Sequence, residues 1–79
     1  MTVKSGLTEK YEEFSRLLAE VRRNAGLSQQ ELADRIGRPQ TYVSKCERGT
    51  RRMDVVEFLE IAEVIGFDPV VFIKRLKSM

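Results

Sequence analysis

Residues 26–49 read GLSQQELADRIGRPQTYVSKCERG. Ser28 and Glu31 stand three apart directly before Leu32, the spacing of a capping box, in which the hydroxyl accepts from the N3 amide and the carboxylate reaches back to the cap. This predicts a short helix from Ser28 to about Ile36, closed by Gly37. Arg38 precedes a proline and is pushed out of the helical region, so the next helix starts only at about Pro39 and runs to about Arg48, where Gly49 ends it. The connection at Gly37 is too short for a hairpin of long helices and suits two short helices that cross steeply.

Outward from this stretch the punctuation repeats. Leu7, Tyr11, Phe14, Leu18, Val21 and Ala25 recur at spacings of four and three, which puts one apolar stripe on a helix over about 8–24, and Gly26 stops it. Asp54 can cap a fourth helix through Ile65, with Gly66 as its stop, and Asp68-Pro69 launches a fifth to about Lys77. The expectation is an all-α, compact five-helix fold: one domain over 8–79, with residues 1–7 frayed. On the fourth helix Val55, Phe58, Leu59, Ala62 and Ile65 are expected to face the core, as are Phe72, Ile73 and Leu76 on the fifth. That leaves Val56, Val64, Val70 and Val71 at the surface. The aromatic residues Tyr11, Phe14, Phe58, Phe67 and Phe72 lie at core spacing rather than on a basic face, which argues against a stacking platform for single strands.

Composition removes most enzyme classes. With no histidine and one cysteine, Cys46, the chain cannot build a Cys/His zinc site, a histidine-based triad or an internal disulfide, and no metal or cofactor is expected. No apolar run approaches the length of a bilayer span, and Met1–Lys10 lacks the apolar centre of a secretion signal, so a cytoplasmic protein with no membrane partner is expected. The net charge of +2 hides an uneven distribution. Residues 35–52 carry Arg35, Arg38, Lys45, Arg48, Arg51 and Arg52 against Glu47 alone, whereas residues 53–72 carry five acids and no base. A basic block of this kind in a balanced chain is a candidate anion-binding face.

The third helix gives that block a direction. At 3.6 residues per turn Gln40, Thr41, Ser44, Lys45 and Arg48 share one face, while Val43 and Cys46 lie opposite. A short helix that is apolar behind and carries Gln, Thr, Ser, Lys and Arg in front has the donors and acceptors that read base edges in a major groove. With the second helix it makes a helix-turn-helix.

These residues resemble the Cro and phage-repressor type of helix-turn-helix domain, also called the xenobiotic-response-element-like (XRE) family. The family pattern is met by Arg22, Gly26-Leu27-Ser28-Gln29, Leu32-Ala33, Gly37, Ser44-Lys45 and Glu47-Arg48-Gly49. It continues through Leu59, Ile61-Ala62 and Gly66, covering residues 14–76. The resemblance implies that Gln40, Thr41 and Lys45 read bases. It implies phosphate contacts for Ser28 and Gln29 at a helix N-terminus, for Ser44 and Arg48, and for Arg38, Arg51 and Arg52 as added charge. It also implies a structural ion pair, Arg22 with Glu47, between the first and third helices. Two positions depart from the family. Pro39 stands where Ser or Thr is usual, so either the third helix lacks a side-chain cap or Pro39 is its first residue and Arg38 the cap. Cys46 stands where Ile or Leu is usual and is expected to be a small buried hydrophobe rather than a redox sensor. Tyr42 is left open between edge packing and a hydroxyl contact to phosphate.

The function implied is sequence-specific binding of double-stranded DNA as a transcriptional regulator, on a pseudo-palindromic operator and as a homodimer. The surplus apolar residues Val64, Phe67, Val70 and Val71 are the expected dimer interface. The alternative is an antitoxin-like module that binds and blocks a partner protein, with DNA binding secondary.

Overall fold

The computed structural model describes residues 6–78, which form five helices and, among those residues, no strand: α1 Gly6–Asn24, α2 Gln29–Ile36, α3 Gln40–Arg48, α4 Val55–Ile65 and α5 Pro69–Lys77. α1 begins two residues before the expected start at Thr8, so Gly6 and Leu7 are helical. The fraying expected over residues 1–5 falls outside the described residues.

The caps explain the boundaries. Ser28 Oγ accepts the Glu31 amide at 3.0 Å and Glu31 Oε1 accepts the Ser28 amide at 2.9 Å, the reciprocal box expected from sequence. A second box, between Asp54 and Glu57, opens α4, and Asp68 Oδ1 accepts the Val70 amide at 2.8 Å to open α5. Pro39, at φ −64° and ψ 151°, is the extended N-cap of α3 and not its first residue, and it offers no side-chain cap. The Arg38 amide is spent closing α2, on Ala33 O at 3.0 Å, so the chain turns at Pro39 and α3 starts at Gln40.

α1 is packed by α3 and α5, and α2 packs on α3 and α4. Leu17, Leu18, Leu32, Ala33, Val43, Cys46, Phe58, Ile61 and Phe72 form the core. The Phe14, Phe58, Phe67 and Phe72 rings meet edge-on or tilted at one end of it, with centroids 4.9–5.8 Å apart. Two expectations are corrected. Leu17, outside the single stripe drawn on α1, is its most buried side chain and Ala25 is exposed, because neighbours on two sides bury a wider arc than one stripe. On α4, α5 and the turn between them, Val55, Leu59 and Ile73 are exposed, while Ile61 is buried and Val64 and Phe67 pack half-buried against the core. Contact of α4 with α2 turns its Ile61–Val64 side inward and its Val55–Leu59 side outward. No described helix is long and apolar enough to cross a membrane.

Candidate nucleic-acid interface

α3 is fastened from behind and open in front. Tyr42, Val43 and Cys46 are buried, whereas Thr41, Lys45 and Arg48 are exposed and Gln40 and Ser44 are half-buried beside them. Burial pushes the Cys46 thiol pKa up, which disfavours the thiolate that redox chemistry needs. Gly49, at φ +76°, closes the helix in the left-handed region while the Thr50 amide returns to Lys45 O at 3.0 Å. A Cβ at Gly49 would stand 3.3 Å from Ser15 Oγ on α1, so the end of α3 lies directly on α1.

The Arg22–Glu47 pair holds the same junction. Arg22 Nε and Nη2 donate to Glu47 Oε2 and Oε1 at 2.7 and 3.0 Å, and Nη1 donates to Leu27 O at 2.7 Å. The two side chains are 9% and 7% exposed. One guanidinium therefore joins the end of α1, the turn into α2 and the end of α3, with a bidentate geometry suited to a desolvated ion pair. Gln29 Nε2 also donates to Glu47 Oε1, at 3.0 Å, and Gln40 Nε2 donates to Gln29 Oε1 at 2.6 Å. The structure thus brings Gln29 and Gln40 together, a continuity that spacing alone does not show.

The basic block divides into two sets. Arg38 and Arg51 both turn to Glu57, Arg38 Nη1 at 2.7 Å and Arg51 Nη2 at 3.2 Å from Oε2. Both guanidinium carbons lie 4.6 Å from the centre of the Tyr42 ring. Tyr42 is buried, and that burial raises its pKa. Its ring is therefore packed beneath two arginines. The Asp54 amide, then the Arg38 and Arg51 guanidiniums, hold the Glu57 carboxyl down to about 2. Sequence reasoning missed this hub; the available signal was the three-residue spacing of Asp54 and Glu57. Lys45, Arg48 and Arg52 make no ion pair among the described residues. Arg48 Nε reaches only Ser44 O at 3.4 Å, and Arg52 lies over the Tyr11 ring, its guanidinium carbon 5.1 Å from the centroid. Tyr11 in turn accepts the Met53 amide at 2.8 Å, which fixes the loop that carries Arg51 and Arg52.

Residues 13–72 match the helix-turn-helix domain family. An XRE-family-like protein from Pseudomonas syringae pv. tomato superposes with a TM-score of 0.83 at 45% identity, over 90% of this chain and 87% of that one. The chain belongs to the XRE family of helix-turn-helix proteins. The restriction-modification controller protein C.AhdI from Aeromonas hydrophila shares 33% identity over 81% of this chain and 96% of its own, with a TM-score of 0.71. An uncharacterised HTH-type transcriptional regulator of Sinorhizobium fredii is 42% identical over 48 residues; the chain spans 62% of that relative's length.

This XRE-family chain carries one further surface. Val55, Leu59, Pro69, Val70 and Ile73 line an apolar groove between α4 and α5, bordered by Lys74 and Lys77. Of the four expected interface residues, Val70 lies in this groove and Val71 is exposed outside it, while Val64 and Phe67 are drawn into the core's margin.

Proposed function

We propose that the chain is a cytoplasmic, non-enzymatic transcriptional regulator that binds double-stranded DNA sequence-specifically. The observation that carries this is α3: a helix locked to α1 by Arg22–Glu47 and Gly49 presents Thr41, Lys45 and Arg48 outward with no carboxylate partner among the described residues. Gln40, Thr41 and Lys45 read bases: Gln can pair with adenine N6 and N7, Lys with guanine O6 and N7, and the Thr methyl can touch thymine. Ser28, Gln29, Ser44, Arg48 and Arg52 hold phosphates and set register. Arg38 and Arg51 share Glu57, and Glu60 stands 3.8 Å from Arg38, so the pair brings much less positive charge to the backbone than two arginines would.

The regulator works as a homodimer on a pseudo-palindromic operator. One reading helix covers only a few base pairs, and two copies on successive major-groove turns, ~34 Å apart, supply the selectivity. The α4–α5 groove supports a revised interface of Val55, Leu59, Val70 and Ile73. Glu60 and Glu63 on α4 and Lys74 and Lys77 on α5 are all exposed, so a two-fold axis can set the acidic helix of one copy against the basic helix of the other.

Titration of the purified protein with random duplex DNA over a range of salt is the test. Affinity should fall linearly on a log–log plot against salt, and selection from a random library should return two inverted half-sites one helical turn apart. Absence of salt-dependent duplex binding would overturn the proposal.

A further inference from the structure

Arg38 and Arg51 flank α3, one before its first turn and one in the loop that follows its last. They converge on one anion: Arg38 Nη1 and Arg51 Nη2 donate to the same Glu57 oxygen, Oε2, at 2.7 and 3.2 Å. The carboxylate lies deeper than the cations that hold it, its side chain 14% exposed against 33% for Arg38 and 41% for Arg51. It is also anchored to its own helix, because Oε1 accepts the Asp54 amide at 3.0 Å. The guanidiniums have a second support. Both lie 4.6 Å from the centre of the buried Tyr42 ring, a contact that does not need the carboxylate. Two cations steadied by an aromatic ring, half-exposed above one oxyanion, make a site that a second oxyanion can reach from solvent.

The oxyanions that arrive there are DNA phosphates, because the two arginines stand at the ends of the proposed reading helix. Phosphate and carboxylate oxygens take the same guanidinium donors. Glu57 cannot follow the arginines outward while it caps α4, so a guanidinium that turns its Nη donors to a phosphate gives up Glu57. We infer that Glu57 is a built-in competitor for the DNA backbone: it occupies the Arg38–Arg51 site in the free protein and holds down the affinity of the interface for duplex DNA of any sequence. Tyr42 steadies the arginines, so loss of the carboxylate frees them without scattering them. Phosphate contacts carry no base information. The competitor therefore sets the strength and salt dependence of binding and leaves base choice to α3. The inference rests on the DNA-binding proposal above.

Its test is a mutant cycle on the full chain, titrated with random duplex DNA over a range of salt. Glu57→Gln removes the charge but keeps a side chain that serves at the same place in a capping box, and thermal melting checks that it folds. It should raise affinity by roughly tenfold at moderate salt and steepen the log–log salt slope by about one, the effect of one more neutralised phosphate. Arg51→Ala should cost about twofold in the wild type, where the arginine is already engaged, and roughly tenfold in the Glu57→Gln background. Mere loss of a repulsive charge would raise affinity even without the arginines; in the Arg38→Ala/Arg51→Ala background the gain from Glu57→Gln should instead shrink to about twofold or less. Unchanged or weaker binding by folded Glu57→Gln, an equal cost of Arg51→Ala in both backgrounds, or an undiminished gain without the arginines would each overturn the inference while DNA binding stands. If Glu57→Gln does not fold, the wild-type background decides: Arg38→Ala and Arg51→Ala should each lower the salt slope by much less than Arg48→Ala, and equal reductions would overturn the inference. A wild type that binds no duplex DNA would remove both readings, and would show this before any variant is made.

Discussion

Lys45 and Arg48 are three residues apart on the exposed side of α3, and neither has an ion-pair partner among the described residues. Their proposed roles differ, so their deletions should read differently. Lys45→Ala should cost ~1–3 kcal/mol on the selected site and flatten discrimination at one position. Arg48→Ala should weaken all sequences about equally and lower the salt slope by about one. Anisotropy titrations with selected and random duplexes check both; equal losses for Lys45→Ala would reassign it to the backbone. Glu57 belongs to the same scale. Its folded pKa of about 2 lies below the ordinary 4.5, so its contribution to stability is complete above about 4.5 and is lost as pH falls toward about 2. Glu57→Gln should therefore melt below the wild type at neutral pH, and the gap should close across that acid window. A gap that stays constant with pH would show that the carboxylate charge is not what Arg38 and Arg51 use.

At the scale of elements, the junction of α1 with α3 carries the site. Glu47→Ala leaves Arg22 buried with only the Leu27 carbonyl, an uncompensated charge that costs ~3–5 kcal/mol at such burial. Thermal melting should show a large drop, accompanied by weaker DNA binding. Gly49 and Gly26 have the same φ of +76°, yet a Cβ meets Ser15 Oγ at 3.3 Å only at Gly49. Each Gly→Ala change carries the left-handed penalty of ~1–2 kcal/mol. Gly49→Ala should lower the melting temperature further than Gly26→Ala, the difference reporting the α1–α3 contact. Equal shifts would mean that Ser15 moves aside freely.

For the molecule as a whole, the groove between α4 and α5 is the feature to test. Val55 and Val56 are 72% and 75% exposed, and Leu59, Val70 and Ile73 are exposed with them, a concentration of large apolar side chains that a monomer rarely leaves in water. Leu59→Glu should give a folded monomer with much weaker operator binding, because a single copy reaches one half-site. Sedimentation of the wild type as a monomer at micromolar concentration would overturn the homodimer.

Short-range rules were sufficient for the helices. Ser28 with Glu31, Asp54, Asp68 before Pro69, and the glycines 26, 37, 49 and 66 act within a few residues of themselves, so the five helices of the described residues are legible from spacing. The division of α3 into a buried Val43–Cys46 side and an exposed Thr41–Lys45 side follows from one rotation angle. What spacing cannot supply is the partner across space. Periodicity gives a helix an apolar face but not the neighbour that covers it, so Val64 turns toward the core and Val55, Leu59 and Ile73 turn outward, opposite to their sequence assignment, while Ile61, left out of the expected stripe, is buried. Charge counting likewise gives a basic block but not its pairing: Arg38 and Arg51 are drawn to Glu57, 19 and 6 residues away. Side-chain hydrogen bonds between helices are equally hidden from spacing: Gln40 on α3 donates to Gln29 on α2, which donates back to Glu47 on α3.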